Sequence, residues 1–287
     1  MPFSLPWTKE NAQRKYIDLI KEASAKWANW DPPKRIQPRV ATLFNRSTKQ
    51  AGDFGTVNKK TGEFLVEGSI YTHQEIAPIA RQYPPLEAPE TDQYQIHSYH
   101  VQSTDVGADV GATAHAAQDL VFRSRWKFNA KRGAILLMFR PRLICVPDAF
   151  LNEALKIPAL KGKALADRVY ECPCFYMYLS NKTRETVTIS LRATVPSGVP
   201  GVAFTPAVNV GWLADGCTGV RQQAYRPGAI YTPLFCLRSI RTPLLRRDDS
   251  TPGTETWEET DVPWNDLDED GASEPEDDDD DDDDDDD

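Results

Sequence analysis

Between Val106 and Lys131 the side chains alternate. Val106, Ala108, Val110, Ala112, Ala114, Ala116, Leu120, Phe122, Trp126, Phe128 and Ala130 hold even positions, while Asp109, Thr113, His115, Asp119, Arg123, Arg125, Lys127 and Lys131 hold odd ones. A period of two places one set on each face of a strand, and the break at Ala117–Asp119 divides the run into two arms of about eleven residues, an amphipathic hairpin. A second such hairpin follows. Val187, Ile189, Leu191, Ala193 and Val195 alternate with Thr186, Thr188, Ser190, Arg192 and Thr194, the turn is Pro196–Gly201, and Val202, Phe204, Val208, Val210, Trp212 and Ala214 line the return arm. Pro206 interrupts that arm and marks an edge or a bend. Globular strands usually run about five or six residues, whereas a tilted strand needs about nine to eleven to cross a bilayer. These arms therefore fit either a half-buried antiparallel sheet with one wet face or a membrane barrel.

The remaining pattern gives an α+β chain, a twisted antiparallel sheet with long amphipathic hairpins flanked by helices. Thr8–Trp30 predicts the first helix, with Thr8 as N-cap and Asp31-Pro32-Pro33 as the stop. Tyr16, Ile20, Ala23, Trp27 and Trp30 form its apolar stripe. Pro38–Gln50 predicts a loop, and Asp53–Tyr71 a hairpin around Asn58–Gly62. Further along come a short helix near Glu75–Gln82, a proline-rich connection at Pro84–Pro89, a strand at Tyr94–Val101 and a fully covered strand at Gly133–Phe139. Helices are expected at Asp148–Lys156 and Leu160–Val169, parted by Pro158. Strands follow at Val169–Asn181 and Ala229–Ile240.

Charge divides the chain. Residues 1–247 hold all 33 Lys and Arg against 20 Asp and Glu, and residues 248–287 hold 23 acids and no base, ending in eleven consecutive Asp. A segment so acidic and so poor in apolar residues is expected to be disordered. The expected divisions are a folded body over 1–240, an exposed cleavable linker over 241–250 and a disordered polyacidic tail over 251–287. The tail is either a solubilising appendage or a tethered polyanion competing with an acidic partner for the basic body. Lys9, Arg14, Lys15, Lys21 and Lys26 lie on the first helix, and Lys34 and Arg35 follow it. Such a helix either packs on a core by its stripe or lies on an anionic lipid surface, where each basic residue contributes about 1 kcal/mol. Charge alone leaves nucleic acid or lipid as the partner.

The N-terminus shows no charged and apolar leader, and the longest apolar run, Ala134–Phe139, is too short for a membrane helix, so a cytosolic, soluble form is expected. Five cysteines argue for reduced thiols, with Cys172 and Cys174 as buried structural residues. No phosphate-cradling Gly-rich loop, G-x-S-x-G elbow, H-E-x-x-H or paired C-x-x-C is present, and the four histidines, at 73, 97, 100 and 115, form no chelating pair on a regular strand. The expectation is a protein without catalytic residues, metal or cofactor.

Several stretches resemble the fungal gasdermin-like proteins that execute regulated cell death in heterokaryon incompatibility. They are SLPWT at Ser4–Thr8, KWANW at Lys26–Trp30, DFGTV, TGEF and VEGSIY within Asp53–Tyr71, KRGAILLM at Lys131–Met138, YLSNK at Tyr178–Lys182 and YTPLFCLRSI at Tyr231–Ile240. The resemblance spans residues 4 to about 247. It implies a pore-forming domain restrained by a C-terminal segment and released by a subtilisin-like serine protease. The freed domain would bind acidic phospholipid, of cardiolipin or phosphoinositide type, and not nucleic acid. It would form a homo-oligomer and pass from cytoplasm to cell membrane. The inserting hairpins would carry Val106, Val110, Ala114, Leu120, Phe122, Trp126, Phe128, Val187, Ile189, Leu191, Val208, Val210 and Trp212 toward lipid, with the odd faces lining the pore. Phe235, Leu237 and Leu245 are candidate cleavage points, and Arg247 suits a dibasic-specific protease. Pro38–Gln50 stands as an insertion against the family pattern, and the short polyacidic tail differs from the helical C-terminal domain of animal gasdermins. The alternative function is a cytosolic or nuclear binding module whose tail engages basic partners.

Overall fold

The computed structural model describes residues 8–30, 32, 35–36, 49–104, 120–194, 209–225, 229–241 and 255–268. In chain order the elements begin with α1 (Lys9–Ser24), β1 (Trp27–Ala28), β2 (Arg35–Ile36), β3 (Asp53–Val57), β4 (Phe64–Ser69), α2 (Ala77–Ala80), β5 (Leu86–Glu87), β6 (Gln93–His97) and β7 (Val101–Thr104). They continue with β8 (Leu120–Phe128), β9 (Ala134–Phe139), β10 (Arg142–Cys145), α3 (Asp148–Ala154), β11 (Ala164–Cys172) and β12 (Cys174–Leu179). The last are β13 (Thr186–Thr194), β14 (Asn209–Asp215), β15 (Val220–Tyr225), β16 (Ala229–Arg241) and β17 (Thr256–Glu259).

The described strands form three antiparallel sheets. The largest runs β1-β16-β11-β10-β5, with β3 and β4 joined to β11 and with β2 and β17 on β16. The central sheet runs β15-β12-β9-β6, and a third sheet, the hairpin layer, runs β14-β13-β8-β7. No strand of the central sheet pairs with a strand of the hairpin layer among the described residues. Alternation along β9 and β12 explains how they touch. Leu136, Met138, Phe175, Met177 and Leu179 face the large cluster containing α1 and the main sheet, while Ile135, Leu137, Cys174, Tyr176 and Tyr178 face the hairpin layer. The central sheet is apolar on both faces because both are covered.

Helix α1 begins where expected and ends six residues early. Thr8 accepts the Asn11 amide at 3.2 Å, and Glu10 sits in the first turn. Ala25 then adopts φ 54°, its N–H donates to the Lys21 carbonyl, and Trp27 and Ala28 pair with Phe235 and Leu234 instead of continuing the helix. Strand pairing with β16 outweighs helical propensity there. The buried stripe is Ala12, Tyr16, Ile17 and Ile20, and the Tyr16 hydroxyl donates to the Ile135 carbonyl at 2.8 Å, which fastens the helix to the central sheet.

The Leu160–Val169 helix is not formed. Pro158–Leu160 is one 3-10 turn, Gly162 turns the chain at φ 71°, and Ala164–Cys172 is strand β11, flanked by β16 on one edge and by β3 and β10 on the other. Helix-forming residues yield to a position between two strands. Tyr94–Val101 likewise divides into β6 and β7, which belong to different sheets, and Val169–Asn181 divides at Pro173 into β11 and β12. The Glu75–Gln82 helix reduces to the single turn α2, while β3, β4, β9, α3, β13 and β16 fall within the expected segments, β16 running one residue further. Strands β10 and β15 carry no alternation strong enough to predict them.

Candidate functional site

The hairpin layer carries one apolar and one polar face, as the alternation demands. Trp126, Phe128, Val187, Ile189 and Leu191 are buried against the central sheet, Phe122 is half-buried, and Trp212 is 9 % exposed. Arg123, Arg125, Lys127, Thr186 and Arg192 are exposed on the opposite face. Register aligns these rows across the layer, with Trp126 opposite Val187, Phe122 opposite Leu191 and Leu191 opposite Trp212. Phe122 and Trp212 meet edge to face at 6.4 Å, and Trp212 lies 5.6 Å from Tyr176 of the central sheet. At this seam Tyr94, Phe122, Leu137, Leu191 and Trp212 line a shallow cleft. Leu120 and Val210 lie in strands β8 and β14. Val106, Val110, Ala114 and Val208 lie outside the described residues.

A polar clasp holds the base of this layer. Glu185 is 2 % exposed and precedes β13. Its carboxylate accepts from the Tyr178 hydroxyl at 2.5 Å, the Ser180 hydroxyl at 2.7 Å and the Thr218 amide at 2.7 Å, and the Thr218 hydroxyl lies within 2.8 Å. The Glu185 carbonyl accepts the Phe128 amide at 2.9 Å, and Tyr178 Oη also accepts from the Gly219 amide at 2.8 Å. The Glu185 carboxylate therefore joins β12 and the β14–β15 turn to the start of β13, and its main-chain carbonyl adds β8. Gly216 in that turn has φ 82°, and a Cβ there would sit 2.5 Å from the Thr186 carbonyl oxygen, so only glycine fits. The YLSNK stretch supplies Tyr178, Ser180 and Asn181, whose amide donates to the Thr218 carbonyl at 2.6 Å. Glu185 drew no notice in the sequence, where it is one charged residue in a turn.

Five of the seven basic positions lie along α1 and the turn that follows it. Lys9 is exposed, while Arg14, Lys15, Lys21 and Lys26 are half-buried. Lys15 donates to the Leu267 carbonyl at 3.0 Å, and Lys26 lies over the Tyr94 ring at 5.9 Å. Arg35 lies in β2 opposite Ile230, and Lys34 is outside the described residues.

The partner of Lys15 corrects the expectation of a disordered tail over 251–287. Residues 255–268 form a strap on the body, and the remainder of the tail lies outside the described residues. Strand β17 pairs with Arg238–Arg241 of β16, and Thr260 continues the line by donating to the Leu237 carbonyl at 2.9 Å. The Trp257 indole donates to the Leu151 carbonyl of α3 at 2.7 Å. Trp264 packs 6.0 Å from Trp27, over Gly62, where a Cβ would come within 2.7 Å of both Trp264 and Ile17. Glu255 pairs with Lys161 at 2.7 Å, and Arg241 pairs with Glu258 and Asp261. Leu267 is buried. The available signal was two tryptophans in a tail dominated by acid.

The cleavage expectations divide. Phe235 and Leu237 are buried within β16, paired with β1 or β11, so a protease cannot draw either into an extended site while the sheet stands. Both are withdrawn as cleavage points. Leu245 and Arg247 lie outside the described residues. The five thiols are free, and burial pushes Cys236 up to about 11, leaving it protonated and unreactive at neutral pH. Among the described residues no helix is long and apolar enough to cross a membrane, which says nothing of strands.

No protein family's model matches this chain, and no curated protein matches it. Among solved structures it is similar to the cryo-EM structure of the gasdermin A3 membrane pore, at 9 % identity and a TM-score of 0.24, over 87 % of this chain and 99 % of that one. A likeness at that TM-score carries no argument about fold or activity.

Proposed function

We propose that this chain is a membrane pore former held in a soluble form by its C-terminal strap. The observation that carries the reading is the hairpin layer, a sheet with one apolar and one polar face whose apolar face meets the central sheet without strand pairing among the described residues. Such a layer can leave the body without breaking a strand pair. In hydrocarbon the same apolar face would meet lipid, and the polar face would line water. Strand edges cannot stand unpaired in a bilayer, so insertion requires a closed barrel of many copies.

Cutting between β16 and the strap, by a subtilisin-like serine protease, would free α1 from Trp264 and Leu267. The helix and neighbouring bases would then engage acidic phospholipid of cardiolipin or phosphoinositide type, and assembly at the cell membrane would cause lytic death. The resemblance to fungal gasdermin-like proteins supports this order of events.

Dye release from liposomes tests it. The full chain and a chain cut at a protease site introduced between residues 245 and 252 are compared on vesicles with and without cardiolipin. Leakage by the cut form on acidic vesicles, with the full chain silent, is expected. Silence from both, with folding verified, would remove the pore reading and favour a binding module. Equal leakage would leave the pore and remove the strap from its control.

A further inference from the structure

We infer that the surface holding residues 255–268 is a peptide-recognition groove that can be filled in trans by the same segment of another copy of this chain. The binding stands apart from the pore reading, and only its effect on leakage rests on that reading.

Three observations carry the inference. The first is an open strand edge. Arg238–Arg241 of β16 has β17 as its partner beyond the reach of β1, so an extended peptide adds there by main-chain hydrogen bonds, which give affinity with little demand on sequence. The second is a pair of anchors that give the demand. Trp257 reaches the carbonyl end of α3, and Trp264 lies between α1, Trp27 and the β3–β4 turn, where Gly62 leaves the space. Both pack half-buried against the large core, and aromatic anchors are the usual centres of binding energy. The third is charge. Lys161 and Arg241 face Glu255, Glu258 and Asp261, which fixes the direction in which the segment lies.

Every one of these contacts joins the segment to the body, and none needs the connection through residues 242–254. That connection supplies only effective concentration, on the order of millimolar for a short tether. Cutting it lowers the local supply of the segment and leaves the groove unchanged. A severed segment therefore persists until diluted or displaced, and a second copy's segment restores what cutting removed.

The test uses the full chain cut at the site introduced between residues 245 and 252, with a fluorescent synthetic peptide of residues 255–268 read by anisotropy. Saturable binding, displaced by unlabelled peptide, is expected. Peptides with Trp257→Ala or Trp264→Ala should bind at least about tenfold more weakly, as loss of an aromatic anchor does. A peptide of the same composition in scrambled order should not bind. Absence of saturable binding, or equal binding of the scrambled peptide, overturns the inference. The uncut chain gives an independent measurement. It should exclude the peptide, and Trp264→Ala in its own strap should admit it; exclusion in both forms also overturns the inference. On acidic vesicles, a leaking cut chain silenced by the peptide supports groove and pore together. A silent cut chain that binds the peptide keeps the groove and removes the pore, and a leaking chain that ignores saturating peptide removes the groove's control of leakage.

Discussion

The two faces of β9 and β12 present the same backbone to two differently built cores. On one face Leu136, Met138, Phe175 and Met177 join a cluster closed by α1 and by strands paired over long sequence distances. On the other, Ile135, Leu137, Tyr176 and Tyr178 meet Trp126, Val187, Ile189, Leu191 and Trp212 across a seam without strand pairing among the described residues. Hydrophobic burial is of similar kind on both sides. The difference lies in what must break for the faces to part. Opening the first face would require helix and sheet to unfold together, whereas under the pore reading the second would open by exchanging one apolar surface for another. Stability and separability are thus assigned to opposite faces of one sheet.

Charge placed on either face should therefore act differently. Leu136→Asp buries an unpaired carboxylate in the closed core and should cost about 4 kcal/mol or more, read as loss of the cooperative unfolding transition. Phe122→Asp, at the half-buried edge of the seam, should leave the soluble fold and vesicle binding intact and abolish leakage. Leakage surviving that change would count against lipid contact by β8. Equal unfolding by both substitutions would erase the difference between the faces.

The clasp sharpens the comparison at intermediate cost. Glu185→Ala leaves Tyr178, Ser180 and Thr218 without their shared acceptor and should destabilise by about 2–4 kcal/mol. Hydrogen exchange should locate the effect, with the Phe128 and Thr218 amides opening while those of β9 and β11 keep their protection. Uniform acceleration across both cores would show that the hairpin layer is not an independent unit.

On the closed side, Asp53 is the corresponding buried carboxylate. It accepts the Gln50 amide at 2.7 Å, and burial pushes its pKa up to about 6 from 3.8, against the pull of that hydrogen bond and of Lys49. A carboxyl whose folded pKa is raised favours the fold while protonated, so its contribution is present below the unfolded value and lost as pH rises through the folded one. Between pH 4 and 6 the loss should be on the order of 2 kcal/mol. Burial also raises Asp18 and Asp167, which act in the same direction. The difference between wild-type and Asp53→Asn stability, followed over that range by chemical denaturation, should show the slope; a constant difference would remove Asp53 as its source. The smallest effect is expected at the surface, where Lys163→Ala breaks the 2.7 Å pair with Glu67 for about 1 kcal/mol or less.

The sequence announced these elements unequally. Alternation placed β8, β13 and β14, and the DFGTV and VEGSIY stretches gave the β3–β4 hairpin, because period two is imposed locally by one wet face. Residues 160–169 misled because Ala164, Leu165, Ala166 and Val169 suit a helix as well as a strand covered on both sides. Only their neighbours β16, β3 and β10 decide, and those are distant in sequence. The strap escaped notice for a related reason. Acid density predicts disorder when averaged along the chain, but Trp257 and Trp264 find seats on α3 and α1 that composition cannot describe. Glu185 became legible only once Tyr178, Ser180 and Thr218 were brought to it.

Strand β16 receives Arg35–Ile36, Trp27–Ala28 and Thr256–Glu259 in succession along the edge opposite β11. Segments from the first and last parts of the described chain are thus laid out along one rail, and Leu267 of the strap lies beside Lys15 of the first helix. A donor dye near residue 9 and an acceptor near residue 268 would therefore glow as a close pair in the resting molecule. Their separation would time the departure of the strap in single copies, before any vesicle is present to leak.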